Sequence, residues 1–192
     1  MKIRLYAHEV HSTWLKTYQK EFGKQAMIEF DFNLALSEDD FWRLVDLLDW
    51  TGPETASTDR LINALSERSE REIRHFREWL GLKLRALDTY QFAEMYQKKF
   101  GGWSVDCFLY ARCWIVAKGR ENYEATMIDK SKFPDDLAFE ELLYLHHKAY
   151  EKKTGEELDH FPLTNYQSTS NAVGWPGVDW YENAFRHEFG TL

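Results

Sequence analysis

The chain has 192 residues, 44% of them apolar and 16% aromatic, so it can bury about 70% of its unfolded surface around large rings, which excludes general disorder. Acidic residues outnumber basic ones by 32 to 24, and the resulting net charge of -8 opposes nucleic acid as a default partner. No apolar run approaches the roughly 18 residues of a membrane span and no charged-then-apolar leader is visible, so no membrane is expected.

Residues 1–36 carry a period of two. "KIRLYA" alternates weakly, and Ile28, Phe30, Phe32, Leu34 and Leu36 share a face opposite Glu29, Asp31 and Asn33, as in a half-buried strand. Between them Trp14, Tyr18 and Phe22 recur at helical spacing, with Ser12 or Thr13 to cap and Gly23 to stop. The expectation is strand, helix, strand. If both strands join one sheet, a crossover of this length favours parallel pairing.

From Ser37 the period becomes 3.6, and residues 37–155 read as a helical core domain. Ser37 and Asp40 form a capping-box pattern ahead of a stripe of Phe41, Leu44, Val45 and Leu48. "TGPETAST" reads as a loop, "DRLINAL" as a short helix, and "EREIRHFREWLGLKLRALD" as a long one that Gly81 weakens without ending. Arg68, Arg71, Arg74, Arg77, Lys83 and Arg85 cluster here, but Glu67, Glu70, Glu72 and Glu78 lie among them, the pattern of a solvated face with i,i+4 pairs. A further helix over "TYQFAEMYQKKF" closes at Gly101 and Gly102, and another over "PDDLAFEELLYLHHKAYEKKTG" runs from acids to lysines and Gly155, the order the helix dipole favours. Residues 156–192 read as an aromatic-anchored loop packed on the core, with a last short helix over "VDWYENAFRHEF".

The centre of the chain is "GGWSVDCFLYARCWIVAKGRENY". Ser104 can cap a helix over about 105–118 and Gly119 can stop it. Its only charges, Asp106, Arg112 and Lys118, are six apart and spread evenly around the axis, so the helix has no polar stripe and belongs at the centre. The fold class is therefore mostly α: a helical bundle around a buried central helix, with the small strand–helix–strand element in front. Cys107 and Cys113 diverge by about 240° on such a helix, so no disulfide joins them and a reducing cytoplasm is expected. Asp106 suits the first turn and Lys118 the last. Arg112 sits mid-helix and must find acceptors, either in a pocket as the anchor for an anion or in a neighbouring helix as an internal fork.

The stretch from Gly101 to Tyr144 resembles the bacterial domain-of-unknown-function family numbered 4240. The matching positions are Gly101, Gly102, Ser104, Asp106, Phe108, Tyr110, Arg112, Trp114, Gly119, Arg120, Tyr123, Glu140 and Leu142, joined by Phe41 and Trp42 upstream and "NYQSTSNAVGW" downstream, over roughly 37–176. Val105 stands where many members carry a second Asp, which weakens a two-carboxylate metal site at this turn. The resemblance implies a mostly helical fold and, in longer relatives, association with WGR-type modules. It implies no activity.

No nucleophile elbow, phosphate loop, dinucleotide motif or cysteine zinc pattern occurs. "HEVH", His8 to His11, is one residue short of the zincin spacing; His146 and His147 diverge by about 100° on a helix, so one packs and one is solvated; His160 and His187 lack partners at ligand spacing. Nothing positions a base beside Ser104 for a triad with Asp106. The tail residues Asn165, Tyr166, Gln167, Ser168, Ser170, Asn171 and Trp175 mix amides and hydroxyls with aromatics, as recognition surfaces and anchored loops both do. The candidate binding residues are Ser104, Asp106, Arg112, Asn165, Asn171 and Trp175, with no metal and no cofactor. Two readings stay open. One is a non-enzymatic cytoplasmic module that binds another protein, a toxin-neutralising or regulatory partner being one case. The other is an enzyme or binding protein for an anionic small molecule, with Arg112 and Asp106 in a cleft beside Tyr110, Tyr123 or a histidine.

Overall fold

Ser37 opens the helical part of the molecule: its Oγ accepts the Asp40 amide at 3.0 Å and donates to the Asp40 carboxylate at 2.6 Å. This starts α1 (Glu38–Val45), which buries Phe41, Trp42, Leu44 and Val45. The structure is a computed structural model that describes residues 2–6, 27–31, 35–102, 104–134, 137–159 and 162–175. The expected loop after α1 is held between two-residue strands, β3 (Asp49–Trp50) and β4 (Ala56–Ser57), with the Thr51 amide donating to the Thr55 carbonyl at 2.9 Å. Next come α2 (Asp59–Ser66) and α3 (Glu70–Ala86), the latter continuous through Gly81 and opened by a full capping box between Ser69 and Glu72. Arg68, just before the cap, pairs with Glu72, and Arg74 pairs with Glu70, both at 3.3 Å, as the interleaved charges predict.

Thr89 caps α4 (Tyr90–Phe100), and Gly101 ends it at φ 70°, where a side chain would strain the backbone. Ser104 then caps α5 (Val105–Ala117) through the Cys107 amide at 3.3 Å. As its lack of a polar face implies, α5 is central, packed against α3 and the turn at 140–144, with Phe108, Leu109, Ala111, Cys113, Ile115, Val116 and Ala117 all buried. Aromatic rings close the core around it, Phe108 lying 5.7 Å from Tyr96 and 5.9 Å from Phe133 between centroids. Cys107 and Cys113 are free thiols.

The structure departs from the expected elements in three places. Gly119 does adopt a left-handed φ of 88°, but the chain turns there directly into α6 (Gly119–Ile128), a helix the sequence did not announce because its stop signal and its start coincide. The helix expected over 134–155 is shorter. It begins as a 3-10 turn at Glu140–Tyr144 and becomes α7 only at Leu145–Thr154, ended by Gly155 at φ 74°. Tertiary acceptors explain this: the Phe139 amide donates to the Tyr110 carbonyl at 3.1 Å and the Ala138 amide to Glu54 at 2.9 Å, so neither serves a helix. At the N-terminus, β1 (Lys2–Tyr6) and β2 (Met27–Asp31) pair antiparallel, Lys2 opposite Asp31 and Tyr6 opposite Met27, and not parallel. The crossover rule applies to strands of a larger sheet covered by helices, whereas these two strands, paired only with each other among the described residues, take the better antiparallel hydrogen-bond geometry. The helix expected between these strands, the one over "VDWYENAFRHEF", and His8, His11, His160 and His187 lie outside the described residues.

Candidate functional site

Arg112 is where a site had to be sought, since α5 carries it into the core and leaves it fully buried. Both of its Nη groups are engaged there, while its buried Nε has no hydrogen-bond partner among the described residues. Nη1 donates to the Leu84 carbonyl of α3 at 2.9 Å and to the Tyr166 carbonyl at 3.1 Å, while Nη2 donates to Ser168 Oγ at 2.9 Å. Ser168 Oγ in turn donates a hydrogen bond to the Val105 carbonyl at 2.6 Å, tying the start of α5 into the same network. The Phe108 ring lies under the guanidinium, 4.8 Å from Cζ to centroid. Burial lowers the Arg112 pKa, an effect the Asp88 carboxylate opposes, and an arginine so placed stays charged.

Asp88 is the counter-charge. It sits between α3 and α4, fully buried, with Oδ1 4.0 Å from Arg112 Nη1. Three donors complete it: the amides of Thr169 and Asn171 at 2.9 and 3.0 Å, and the Trp175 indole at 3.1 Å. Asn171 in turn donates from its side chain to the Arg85 carbonyl at 3.1 Å and accepts the Gly174 amide at 3.2 Å. Further along α3, buried Glu78 accepts the Leu163 amide at 3.1 and 3.2 Å. Residues 163–175 thus form a strap whose backbone and side chains answer three buried charges. Gly174 is required at its end, because a Cβ there would lie 2.6 Å from the Asp88 carbonyl oxygen.

Of the residues singled out by sequence, Arg112, Asn171 and Trp175 converge around Asp88. Asn165 shapes the strap's turn, accepting the Gln167 amide at 3.0 Å through its side chain. Ser104 serves as a cap, and Asp106 is exposed on another side of α5, away from the buried Arg112. Asp88 and Glu78 were missed. Asp88 lies in a junction of Leu87 to Thr89 that reads only as a helix end, and Glu78 reads as one more charge of the solvated run.

A second cation is also enclosed by the fold. Lys83 reaches into Trp42, Trp79 and Tyr123, its Nζ 5.4, 5.4 and 5.3 Å from the ring centroids, and hydrogen-bonds Glu38. His146 is buried and its neighbour His147 is half-buried, the split their helical positions predict. Among the described residues there is no group of three His, Cys, Asp or Glu side chains that could hold a metal ion, and no helix long and apolar enough to cross a membrane. No curated protein and no solved structure matches the chain. The family described as a protein of unknown function, DUF4240, matches residues 36–152, the segment that contains α1 to α6, Arg112 and Asp88, and the chain belongs to that family.

Proposed function

We propose that this chain is a non-enzymatic, cytoplasmic module that binds another protein, with a regulatory or toxin-neutralising partner as one case. The observation that carries the reading is the use of Arg112. The residue best suited to grip an anionic substrate gives both Nη groups to Leu84, Tyr166 and Ser168, and Asp106 lies apart from it. The acidic balance of the chain suits electrostatic steering toward a basic protein surface. The test is capture by the purified chain from lysate across a salt series, with each retained protein purified and mixed back for size-exclusion chromatography. A stoichiometric complex that weakens with salt is expected. Absence of any reconstituted complex, together with thermal stabilisation by a small anionic metabolite that Arg112→Lys abolishes, would instead establish the small-molecule reading.

A further inference from the structure

Beyond its first turn, α5 is buried except along one line. Asp106, Tyr110 and Trp114 follow one another at four-residue spacing, exposed or half-buried, while the rest of the helix beyond its first turn lies in the core. Neighbouring segments extend this line into one surface. The Trp114 indole donates to the Pro53 carbonyl at 2.7 Å, and the Phe139 amide donates to the Tyr110 carbonyl, setting Glu140 and Tyr144 beside the helix.

The surface already shows how it receives a cation. Lys118, next in the line, lays its ammonium 3.4 Å from the Trp50 ring centroid and 5.3 Å from that of Trp114. One helical turn back lie Tyr110 and, from the neighbouring 3-10 turn, Tyr144, with the Glu140 carboxylate beside them. Tyr144, 48% exposed, donates to Glu140 Oε1 at 2.9 Å, and desolvation, then the neighbouring Glu140 carboxylate, push the Tyr110 phenol up to about 12. A carboxylate oriented by one phenol keeps free lone pairs, the geometry that a planar guanidinium fork matches and a point-charge ammonium does not. No basic side chain among the described residues pairs with Glu140 or Asp106.

We infer that this face docks an arginine-bearing segment of a partner protein, the guanidinium lying on Tyr110 and Tyr144 and paired with Glu140, with Asp106 at the rim. The inference rests on the protein-binding reading and names its surface. Arginine supplies what the site lacks, a delocalised cation that stacks on rings and donates in pairs.

The probe is an acetylated Gly-Arg-Gly-Arg-Gly peptide titrated into the full chain at low salt by calorimetry, beside its lysine counterpart. Saturable binding of the arginine peptide is expected, weakened about tenfold in Glu140→Gln and in Asp106→Asn, variants whose urea midpoints should match the parent. No saturable binding, equal binding of the lysine peptide, or unchanged affinity in Glu140→Gln overturns the assignment. A partner that reconstitutes equally with parent and Glu140→Gln refutes this face while leaving the protein-binding reading intact; failure of both reconstitution and peptide binding removes both.

Discussion

Asp88→Asn changes no shape and should still unfold the molecule far more easily. The carboxylate faces three N–H donors at 2.9 to 3.1 Å and lies 4.0 Å from a buried guanidinium. At that separation the pair attracts by about 4 kcal/mol for an effective dielectric constant near 20. The amide also turns one acceptor into a donor. If its oxygen stays toward Thr169 and Trp175, its NH2 confronts the Asn171 amide, so one buried N–H loses its partner. Removing one member of a buried ion pair costs about 3–5 kcal/mol, a large share of the 5–15 kcal/mol of a typical domain. With a slope near 2 kcal/mol per M, the urea midpoint should fall by about 2 M, read by tryptophan fluorescence. Arg112→Met should then restore part of the loss in the double variant, because the orphaned cation is gone. A single-variant change within about 0.5 kcal/mol, or strict additivity in the cycle, would show that the charges do not depend on each other.

Gly174→Ala should destabilise by at least 1–3 kcal/mol, measured by the same urea titration, since the new Cβ meets the Asp88 carbonyl at 2.6 Å. A thiol reagent at pH 8 should modify exposed Cys107 quickly and Cys113 only on unfolding, because Cys113 is buried and its thiol is pushed up to about 12 by that burial. The contribution of Glu72 to stability should be constant above about pH 5 and fall in acid. The Glu72 carboxyl is held below its ordinary 4.5, first by the Ser69 hydroxyl and then by the Ser69 amide, so its contribution is complete above the unfolded value and is lost as pH drops through the lower folded one. Glu72→Gln should flatten part of that acid slope in a urea series across pH.

The central helix was legible because its evidence is local. Ser104, an all-round apolar run and Gly119 lie within sixteen residues, and Arg112 stood out as the one charge that could serve neither end. Its partners were not legible, since the Leu84 carbonyl lies 28 residues before it and Tyr166 and Ser168 lie 54 and 56 after. No periodicity links such distances, and main-chain carbonyls leave no mark on residue identity. Similarly, α6 was hidden because one glycine both ends a helix and begins the next, and the shortened α7 because Glu54 and Tyr110 claim amides that the helical pattern alone would assign to it. The accessible line of α5 was not legible because Tyr110 and Trp114 belong to the same all-round apolar run as the buried positions.

The family match stops at residue 152, yet the chemistry that Arg112 and Asp88 require does not. Cut at 159, the chain would leave Arg112 with the Leu84 carbonyl alone, having lost Tyr166 and Ser168, and Asp88 would lose all three donors. Five hydrogen bonds to charged groups, each contributing about 1.5–3 kcal/mol, are together comparable to the whole 5–15 kcal/mol stability of an ordinary domain, and water in the opened site replaces only some of them. The truncated chain should therefore keep helical circular dichroism while losing a cooperative urea transition, and a peptide of residues 162–175 added in trans should restore it in proportion to its concentration. Cooperative unfolding of the truncated chain at the parent midpoint would show instead that helices α1 to α7 satisfy their own charges and that the strap only decorates them. The length of chain that must be kept together is thus set by where two buried charges find their donors and acceptors, which places the end of the folding unit at or beyond Trp175.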